Sequence, residues 1–297
     1  MEDLNAFLNI RESLLNFLRE DIGTGDLTSN SIVDSEACAR AEIVCKANET
    51  AVVCGLEEAG IIFEMSNCKT KTFVRDGSLI KKDFVVMEII GKALSIMKVE
   101  RTALNLIMRM SGIATETRKF TSLIHNSFSS VRIASTRKTA PGLRFFDKKA
   151  VAMGGGETHR MRLDDMILIK DNHIPLVGSV GKAIKRARMK IGSSIKIECE
   201  VRSLEQAISA VNAGADRVML DNFTPMEVAR TIDELSRRGI RYKAKIEVSG
   251  GVMLQNIRSY AKAKPDIISI GYLTHSPKAV DFSLEVLERK KGNEISD

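Results

Sequence analysis

Six of the basic side chains in one stretch of the chain, residues 133–173, lie in a pattern that suits the binding of a small polyanion. They are Arg137, Lys138, His159, Arg160, Lys170 and His173. The stretch also contains three consecutive glycines, Gly154–Gly156, between apolar runs. Neighbouring arginines favour an acidic ligand, because each guanidinium can bind a carboxylate or phosphate through two parallel N–H donors. The stretch therefore predicts a pocket for a small molecule that carries several negative charges.

A second series of polar residues occurs where predicted strands end. It comprises Glu200, Asp221, Ser249–Gly251 and Gly271. Any one of these is an ordinary turn residue, but a series over successive strands indicates the face of a βα fold that carries chemistry. The glycine-rich ends suit a phosphate group. The two acids suit hydroxyl binding, Mg²⁺ binding, or both.

Two features of the basic stretch leave alternatives open. Lys170 follows the apolar run Met166–Ile169, so it is expected at a strand end. A buried lysine there could form a Schiff base or bind an anion, and the neighbouring Arg137 and Arg160 favour the anion binder. The triple glycine could make a tight turn or let a ligand approach His159, and it matches no dinucleotide or P-loop pattern.

The N-terminal third of the sequence predicts helices around a small sheet. The chain opens with an amphipathic helix. Its apolar stripe consists of Leu4, Phe7, Leu8, Leu15 and Leu18. Residues 37–100 alternate β-rich runs with polar turns around one helical piece, LEEAGIIFEM, and residues 99–126 predict a long helix. This region is expected to form a sheet-and-helix domain.

From about residue 130 the pattern changes to strands that alternate with helices. Predicted strands cover 195–201, 216–222, 242–250 and 265–273. Capping boxes that start at Ser203 and Thr224 predict the helices between them. The last segment, 274–290, is predicted to be a helix. Repeated βα units with short loops indicate a parallel sheet, and a barrel-like α/β fold is the expected architecture.

Composition limits the classes of partner. The net charge of +7 permits nucleic-acid binding, but there is no tryptophan and the three tyrosines do not interleave with a basic stripe. The basic run Lys182–Lys190 is interpreted as the solvated face of a helix. No apolar run is long enough to span a membrane, and the acidic N-terminus is unlike a secretory signal. Five cysteines without a C-x-x-C pair favour a reducing cytoplasm.

A set of motifs runs in order along nearly the whole chain. The N-terminal motifs are EDIGTGDLT (20–28), ERTALN (100–105), SGIA (111–114) and TRKTAPG (136–142). The later ones are Gly154–Gly156 with His159-Arg160, IKDNH (169–173), ECE (198–200), LDN (220–222), SGG (249–251) and Gly271 with LTHS (273–276). Together they resemble the quinolinate phosphoribosyltransferase family.

The resemblance implies a fold and an assembly. The fold is an N-terminal α/β sandwich over residues 1–112 and an open, incomplete TIM-like α/β barrel with the active site over residues 113–276. The C-terminal segment 277–297, predicted above to be helical, would pack on the first domain. The assembly is a homodimer in which Arg101 completes the partner's active site. Neither a nucleic acid nor a membrane is an expected partner.

Residue roles follow from the same motifs. The implied substrate-binding residues are Arg101, Thr136, Arg137, Lys138, His159, Arg160, Lys170, Glu200, Asp221, Ser249, Gly250, Gly251, Gly271 and His275. The basic ones would hold the carboxylates of quinolinate and the pyrophosphate, and the Ser249–Gly251 and Gly271 loops would hold the 5′-phosphate. The implied catalytic residues are Lys138, Lys170, Glu200 and Asp221. Glu200 and Asp221 would also hold the cofactor Mg²⁺, directly or through water.

The chain departs from the family pattern at three places. Ser135 stands where the family usually has Asp, Glu157-Thr158 replaces Val-Asn, and Tyr272 replaces a smaller residue. None of these departures removes an implied ligand contact, although Ser135 removes a negative charge near the cations.

The implied reaction joins quinolinate to phosphoribosyl pyrophosphate and releases pyrophosphate and CO₂, which makes the chain a pentosyltransferase of NAD biosynthesis. Three other interpretations stay open. One is a phosphoribosyltransferase for nicotinate or another acidic heterocycle. The second is a Schiff-base aldolase that uses Lys170 or Lys245, and the third is a nucleic-acid binder, which only the net charge suggests.

Overall fold

The computed structural model describes the backbone of residues 2–290 and the side chains of residues 10–287. Its α-helices are α1 (Glu2–Ile22), α2 (Leu27–Ile32), α3 (Leu56–Met65), α4 (Ala93–His125), α5 (Arg144–Met153), α6 (Ile174–Val177), α7 (Val180–Ile191), α8 (Leu204–Asn212), α9 (Pro225–Arg237), α10 (Ile257–Lys262) and α11 (Tyr272–His275). Its strands are β1 (Cys38–Cys45), β2 (Ala51–Val52), β3 (Lys69–Thr72), β4 (Leu79–Ile80), β5 (Val85–Lys92), β6 (Arg132–Ala134), β7 (Ile167–Ile169), β8 (Ile197–Val201), β9 (Arg217–Asp221), β10 (Lys245–Ser249), β11 (Ile267–Ser269) and β12 (Phe282–Lys290).

The chain divides into two compact units. The first combines Met1–Thr115 with the segment that starts at Pro277, and the second is Glu116–Ser276. The first division falls inside α4, three residues after the predicted boundary at 112/113. The long helix itself starts at Ala93, six residues before its predicted start.

An antiparallel sheet of four strands, in the order β12-β1-β5-β3, forms the centre of the first unit. Side chains of β1 alternate between the two faces, and Ala41 and Ile43 are fully buried. In the register, Ile43 lies between Met87 of β5 and Leu284 of β12. This alternation produces the β-rich pattern that the sequence shows.

One of the sequence motifs, SGIA at residues 111–114, has a structural role in this unit. Ser111 on α4 exchanges two hydrogen bonds with the backbone of Cys54, one as acceptor at 2.9 Å and one as donor at 3.2 Å. A Cβ on the next residue, Gly112, would lie 2.1 Å from the carbonyl oxygen of Lys278. The SGIA motif is therefore explained by close packing of α4.

The predicted C-terminal helix is wrong. Residues 282–290 form β12, which pairs antiparallel with β1, and residues 291–297 lie outside the described part of the chain. At the start of the predicted helix, only the short helix α11 (Tyr272–His275) is present. Its C-cap is Ser276, and Pro277 follows. Pairing explains the difference, because β12 satisfies the hydrogen-bonding groups of β1 that would otherwise form an open edge. The alternation of Phe282, Leu284 and Val286 suits a strand.

The second unit is built on six parallel strands in the order β6-β11-β10-β9-β8-β7. Within residues 2–290, β6 and β7 are the two edges of this sheet, so the barrel is open as expected. Capping side chains start the helices where the sequence predicts them. Ser203 accepts a hydrogen bond from the backbone of Gln206, and Thr224 forms a reciprocal capping box with Glu227.

The basic run Lys182–Lys190 lies in α7, which buries Val180, Ala183 and Ile184. Its cations therefore occupy the outer face of an amphipathic helix, as the sequence indicates. Along the described helices, none combines the length and apolar character that a bilayer crossing requires.

Candidate active site

The two faces of the parallel sheet differ in chemistry. One face carries apolar side chains, of which Val201, Val218 and Val248 are fully buried. The other face carries polar side chains in two layers, because alternate residues of a strand share a face.

The layer nearest the carboxyl ends of the strands is called the upper layer here and consists of Glu200, Asp221 and Ser249. Asp221 lies opposite Ser249 in the register, and Glu200 lies opposite Met219, two residues before Asp221. The structure thus brings together three members of the strand-end series on one face of the sheet. The layer beneath it, called the lower layer, consists of Glu198, Arg217 and Glu247, and both of its carboxylates are fully buried.

Negative charge is concentrated in the upper layer. Burial and the charge of Asp221 both raise the pKa of Glu200. Cations flank the pair: the Nζ atom of Lys170 lies 3.8 Å from Glu200, and the Nε atom of Arg202 lies 3.7 Å from Asp221. Two neighbouring carboxylates suit a hard cation or the hydroxyl groups of a sugar, because either relieves their mutual repulsion. The donor set therefore fits Mg²⁺.

Lys170 directly follows β7, as predicted. Its side chain is 50% exposed, whereas a Schiff-base lysine would be a buried amine. The backbone N–H of Lys170 donates to Nδ1 of His173 at 2.8 Å. His173 therefore closes the turn after β7, and Lys170 is available at the rim as a cation.

Two arginines of the basic stretch have buried Nε atoms whose donors are unused. Arg160 is only 8% exposed, and its Nη1 donates to the carbonyl oxygen of Met166 at 3.1 Å. The Nε atoms of Arg160 and Arg137 are both buried without a hydrogen-bond partner. Burial and the charge of Arg137 lower the pKa of Arg160. An acidic ligand would satisfy both guanidinium groups and offset their repulsion.

Lys148 on α5 is a buried cation that the sequence did not single out. It is 1% exposed and donates to the carbonyl oxygens of Thr158 and, at 2.7 Å, Arg160. Burial and the charges of Arg144 and Arg137 lower its pKa to about 8. Lys148 fixes the backbone on both sides of His159. Its role could not be read from a pattern, because its acceptors are carbonyls of an irregular segment.

Three predicted residues surround a fourth, Gly271. A Cβ at Gly271 would lie 3.0 Å from Lys138, 3.3 Å from His275 and 3.5 Å from Thr136. The hydroxyl of Thr136 accepts a hydrogen bond from the backbone of Lys138 at 3.1 Å. The structure thus brings Thr136, Lys138, Gly271 and His275 together, and glycine is required for the close approach.

The loop after β10 contains two glycines with backbone conformations that suit glycine. Gly250 has φ +92°, and a Cβ there would lie 2.2 Å from the side-chain oxygen of Asn222. Gly251 has φ +64° and faces open space. The loop therefore presents bare backbone beside Ser249.

The triple glycine is explained as a tight turn after α5. Gly155 has φ +88°, and a Cβ at Gly156 would lie 2.8 Å from Val151 and 2.9 Å from Thr117. These contacts favour the structural interpretation over ligand access. The turn leads to Glu157, which bridges to Ala134, the last residue of β6.

Arg101 is the one predicted site residue that belongs to the first unit. It lies on α4 with its side chain 59% exposed, 3.7 Å from Glu100. The other predicted residues all belong to the second unit. The lower layer was not predicted as a site, although Glu198 and Glu247 lie two residues before Glu200 and Ser249. That spacing of two was the available signal.

Comparison with known proteins identifies the family. The family model "Quinolinate phosphoribosyl transferase, C-terminal domain" matches residues 113–285, and the corresponding N-terminal domain model matches residues 26–111. A probable nicotinate-nucleotide pyrophosphorylase (carboxylating) of Methanothermobacter thermautotrophicus is 42% identical over 269 residues, which cover 91% of this chain and 96% of that protein. A protein of the same name from Bacillus subtilis is 40% identical over 94% of each chain.

Comparison with solved structures supports the same family. The crystal structure of NadC from Streptococcus pyogenes superposes with a TM-score of 0.86 at 35% identity, over 95% of this chain and 98% of that one. The chain belongs to the quinolinate phosphoribosyltransferase family.

Proposed function

We propose that this protein transfers the phosphoribosyl group of phosphoribosyl pyrophosphate to quinolinate and decarboxylates the product to nicotinate mononucleotide. The observation that carries the proposal is the pair Arg137 and Arg160, whose Nε atoms are buried and have unused donors. Quinolinate bears two carboxylates on adjacent ring carbons, and two guanidinium groups can bind them. The carboxylate pair of the upper layer supplies the complementary site for a ribose.

The binding arrangement assigns each group to a part of the substrates. Arg137, Arg160 and Lys170 hold quinolinate. His159 supports Arg160 instead, because its Nδ1 accepts the backbone N–H of Arg160 and its Nε2 lies against Glu198 and Glu247. Lys138 and Thr136, beside Gly271 and His275, face the phosphates together with the Ser249–Gly251 loop. Glycine loops allow a phosphate to approach backbone N–H groups closely.

The transfer step requires no covalent nucleophile on the protein. The pyridine nitrogen of quinolinate attacks the anomeric carbon as the bond from that carbon to the pyrophosphate oxygen breaks. Glu200 and Asp221 place negative charge next to the ribose ring, where positive charge develops in the transition state. Lys138 and Lys170 place positive charge near the departing pyrophosphate.

Decarboxylation follows from the new charge on the ring. Once the nitrogen is bonded to ribose, it is positively charged. The bond to the adjacent carboxylate can then break, because the electron pair left on the ring carbon is stabilised by that nitrogen. A proton replaces the CO₂. The residues of the pocket hold the ring in place while this occurs.

Glu200 and Asp221 would hold Mg²⁺ together with the substrate oxygens. The ion supplies charge neutralisation for pyrophosphate. The two acidic oxygens at the sheet edge support this assignment, since carboxylate and phosphate oxygens are the ligands that Mg²⁺ prefers.

The decisive assay supplies quinolinate, phosphoribosyl pyrophosphate and Mg²⁺ and measures CO₂ and nicotinate mononucleotide. Stoichiometric release of CO₂ with quinolinate is the expected result. Turnover of nicotinate without CO₂ would contradict the proposal and support the alternative phosphoribosyltransferase. Omission of Mg²⁺ should abolish the signal.

We further propose a homodimer in which Arg101 completes the active site of the partner. Arg101 is exposed and belongs to the first unit, whereas the other cations belong to the second. A mixture of Arg101→Ala and Arg137→Ala proteins, refolded together, should regain about a quarter of wild-type activity, since hybrid dimers would contain one intact site. No recovery would contradict the shared site.

A cytoplasmic location is also part of the proposal. The five cysteines are free thiols, which suits a reducing compartment.

A further inference from the structure

The lower layer of the sheet contains charged groups that the proposed reaction does not use. Glu198 and Glu247 are 0% exposed, and Arg217 lies directly opposite Glu198 in the register. Burial of two carboxylates is costly unless they are paired. Because these charged residues lie directly beneath the upper layer, they can influence how substrate-binding residues are positioned.

The contacts link this cluster to His159. The Nη1 atom of Arg217 donates to Oε2 of Glu247 at 2.8 Å and lies 3.8 Å from Oε2 of Glu198. The Nε2 atom of His159 lies 3.2 Å from Glu198 and 3.4 Å from Glu247. The two carboxylates thus converge on one imidazole nitrogen and one guanidinium.

His159 itself has an unusual backbone. Its φ is +54°, in the left-handed region that is rare for residues other than glycine. Such a conformation persists only when the surroundings enforce it. The Nδ1 atom accepts the backbone N–H of Arg160 at 2.8 Å. The Nε2 atom is therefore the one that carries a proton, and it lies within 3.4 Å of both carboxylates.

The conformation of His159 determines the direction of the next residue. Arg160 is buried, and its main chain is fixed on both sides, by Nδ1 of His159 at its N–H and by Lys148 at its carbonyl. We propose that Glu198 and Glu247, held in place by Arg217, are positioning residues that lock His159 and thereby aim the guanidinium of Arg160 at a carboxylate of quinolinate. The inference rests on the proposed function, because it takes quinolinate as the ligand of Arg160.

A metal ion is the competing occupant of this cluster. The ligand atoms of His159, Glu198 and Glu247 lie within 4.8 Å of one another. However, the guanidinium of Arg217 already supplies a positive charge 2.8 Å from Glu247. A second cation at the same place would be repelled by it. The positioning role accounts for the charge of Arg217, whereas a metal centre does not.

The test is a kinetic comparison of Glu198→Gln and Glu247→Gln with wild type. Each change removes a charge at nearly constant volume. We expect the KM for quinolinate to rise about tenfold, while the KM for phosphoribosyl pyrophosphate changes by less than about twofold. Glu205→Gln on the exposed side of α8 is the matched control and should leave both constants unchanged. An equal rise in both KM values would indicate general damage and overturn the proposal.

Arg217→Lys provides a second variant if the glutamine variants do not fold. It keeps the positive charge but loses the geometry of the guanidinium, so a rise of about threefold in the quinolinate KM is expected. An unchanged quinolinate KM in a folded variant would overturn the proposal. Metal analysis of the purified wild-type protein adds an independent check. One tightly held equivalent of a transition metal that is lost in Glu198→Gln would also overturn it.

These outcomes separate the two levels of inference. If wild type releases no CO₂ from quinolinate, the proposed function fails. If wild type is active and the glutamine variants bind quinolinate normally, the positioning role alone fails.

Discussion

The upper and lower layers of the parallel sheet use similar residue types for different purposes. In the upper layer, Glu200 and Asp221 stand beside each other with cations 3.7–3.8 Å away. In the lower layer, Glu198 and Glu247 are fully buried and share Arg217 and His159. Carboxylates two residues apart on one strand can thus serve a ligand or an internal ion network. Burial and pairing, rather than residue type, decide which.

The largest expected effect on activity comes from a residue that would bind the ligand through unused donors, Arg137. Arg137→Ala removes a guanidinium whose buried Nε has no hydrogen-bond partner within the described chain. Loss of a buried charge pair with substrate costs several kcal/mol, so kcat/KM for quinolinate should fall about 10³-fold. Steady-state kinetics check this. Circular dichroism should show an intact fold, and Arg186→Ala on the outer side of α7 is the control. Activity near that of wild type would reject the role of Arg137.

The second prediction concerns stability and separates the layers directly. Glu247→Ala breaks a buried ion pair and leaves Arg217 without its closest partner, so the free energy of unfolding should fall by about 3 kcal/mol. Asp221→Ala should change it by less than about 1 kcal/mol, because its contact is to the half-exposed Arg202. Urea denaturation measures both. If both variants lost the same free energy of unfolding, the proposal that the lower layer is the more important for stability would be wrong.

The third prediction concerns Lys148, which supports the backbone next to the lower layer. Its pKa is lowered to about 8 in the folded protein, whereas an unfolded lysine titrates near pH 10.4. Between these values the unfolded chain binds more protons, so this lysine makes stability rise with pH. Below about pH 8 both states are protonated, and the contribution is constant.

The measurement is the free energy of unfolding of wild type and Lys148→Met at several pH values. Wild type should gain about 2 kcal/mol relative to the variant between pH 8 and 10. Lys185→Met on the exposed side of α7 should show no such dependence. A difference that is independent of pH would mean that Lys148 titrates normally.

The strand-end residues of the upper layer were predictable from the sequence because hydrophobic strands, capping boxes and turns have local signals. Ser203, Thr224 and the glycines around Ser249 are where those signals place them. The C-terminal segment failed because its strand depends on β1, some 240 residues earlier in the chain. Because the partner strand is distant in the chain, the only local sign of β12 is a weak alternation of apolar residues.

Support beneath the site was harder to predict than the site itself. Lys148 binds carbonyls of an irregular segment, and the left-handed conformation of His159 has no local signature. The lower layer did have a signal, since Glu198 shares a strand face with Glu200. The sequence alone could not show that Glu198 is buried, because burial depends on how the neighbouring strands are ordered in the sheet.

The smallest expected effect gives the most direct comparison of the two layers, because the two residues compared lie on the same strand. Ser249 and Glu247 lie two residues apart on the same face of β10. Ser249→Ala removes one hydroxyl donor from the proposed phosphate site, so the KM for phosphoribosyl pyrophosphate should rise about fivefold. The KM for quinolinate should stay within about twofold of wild type, the reverse of the pattern expected for Glu247→Gln. Full kinetics with each substrate varied in turn would measure this. If both variants raise the KM of the same substrate, the upper and lower layers do not act on different substrates.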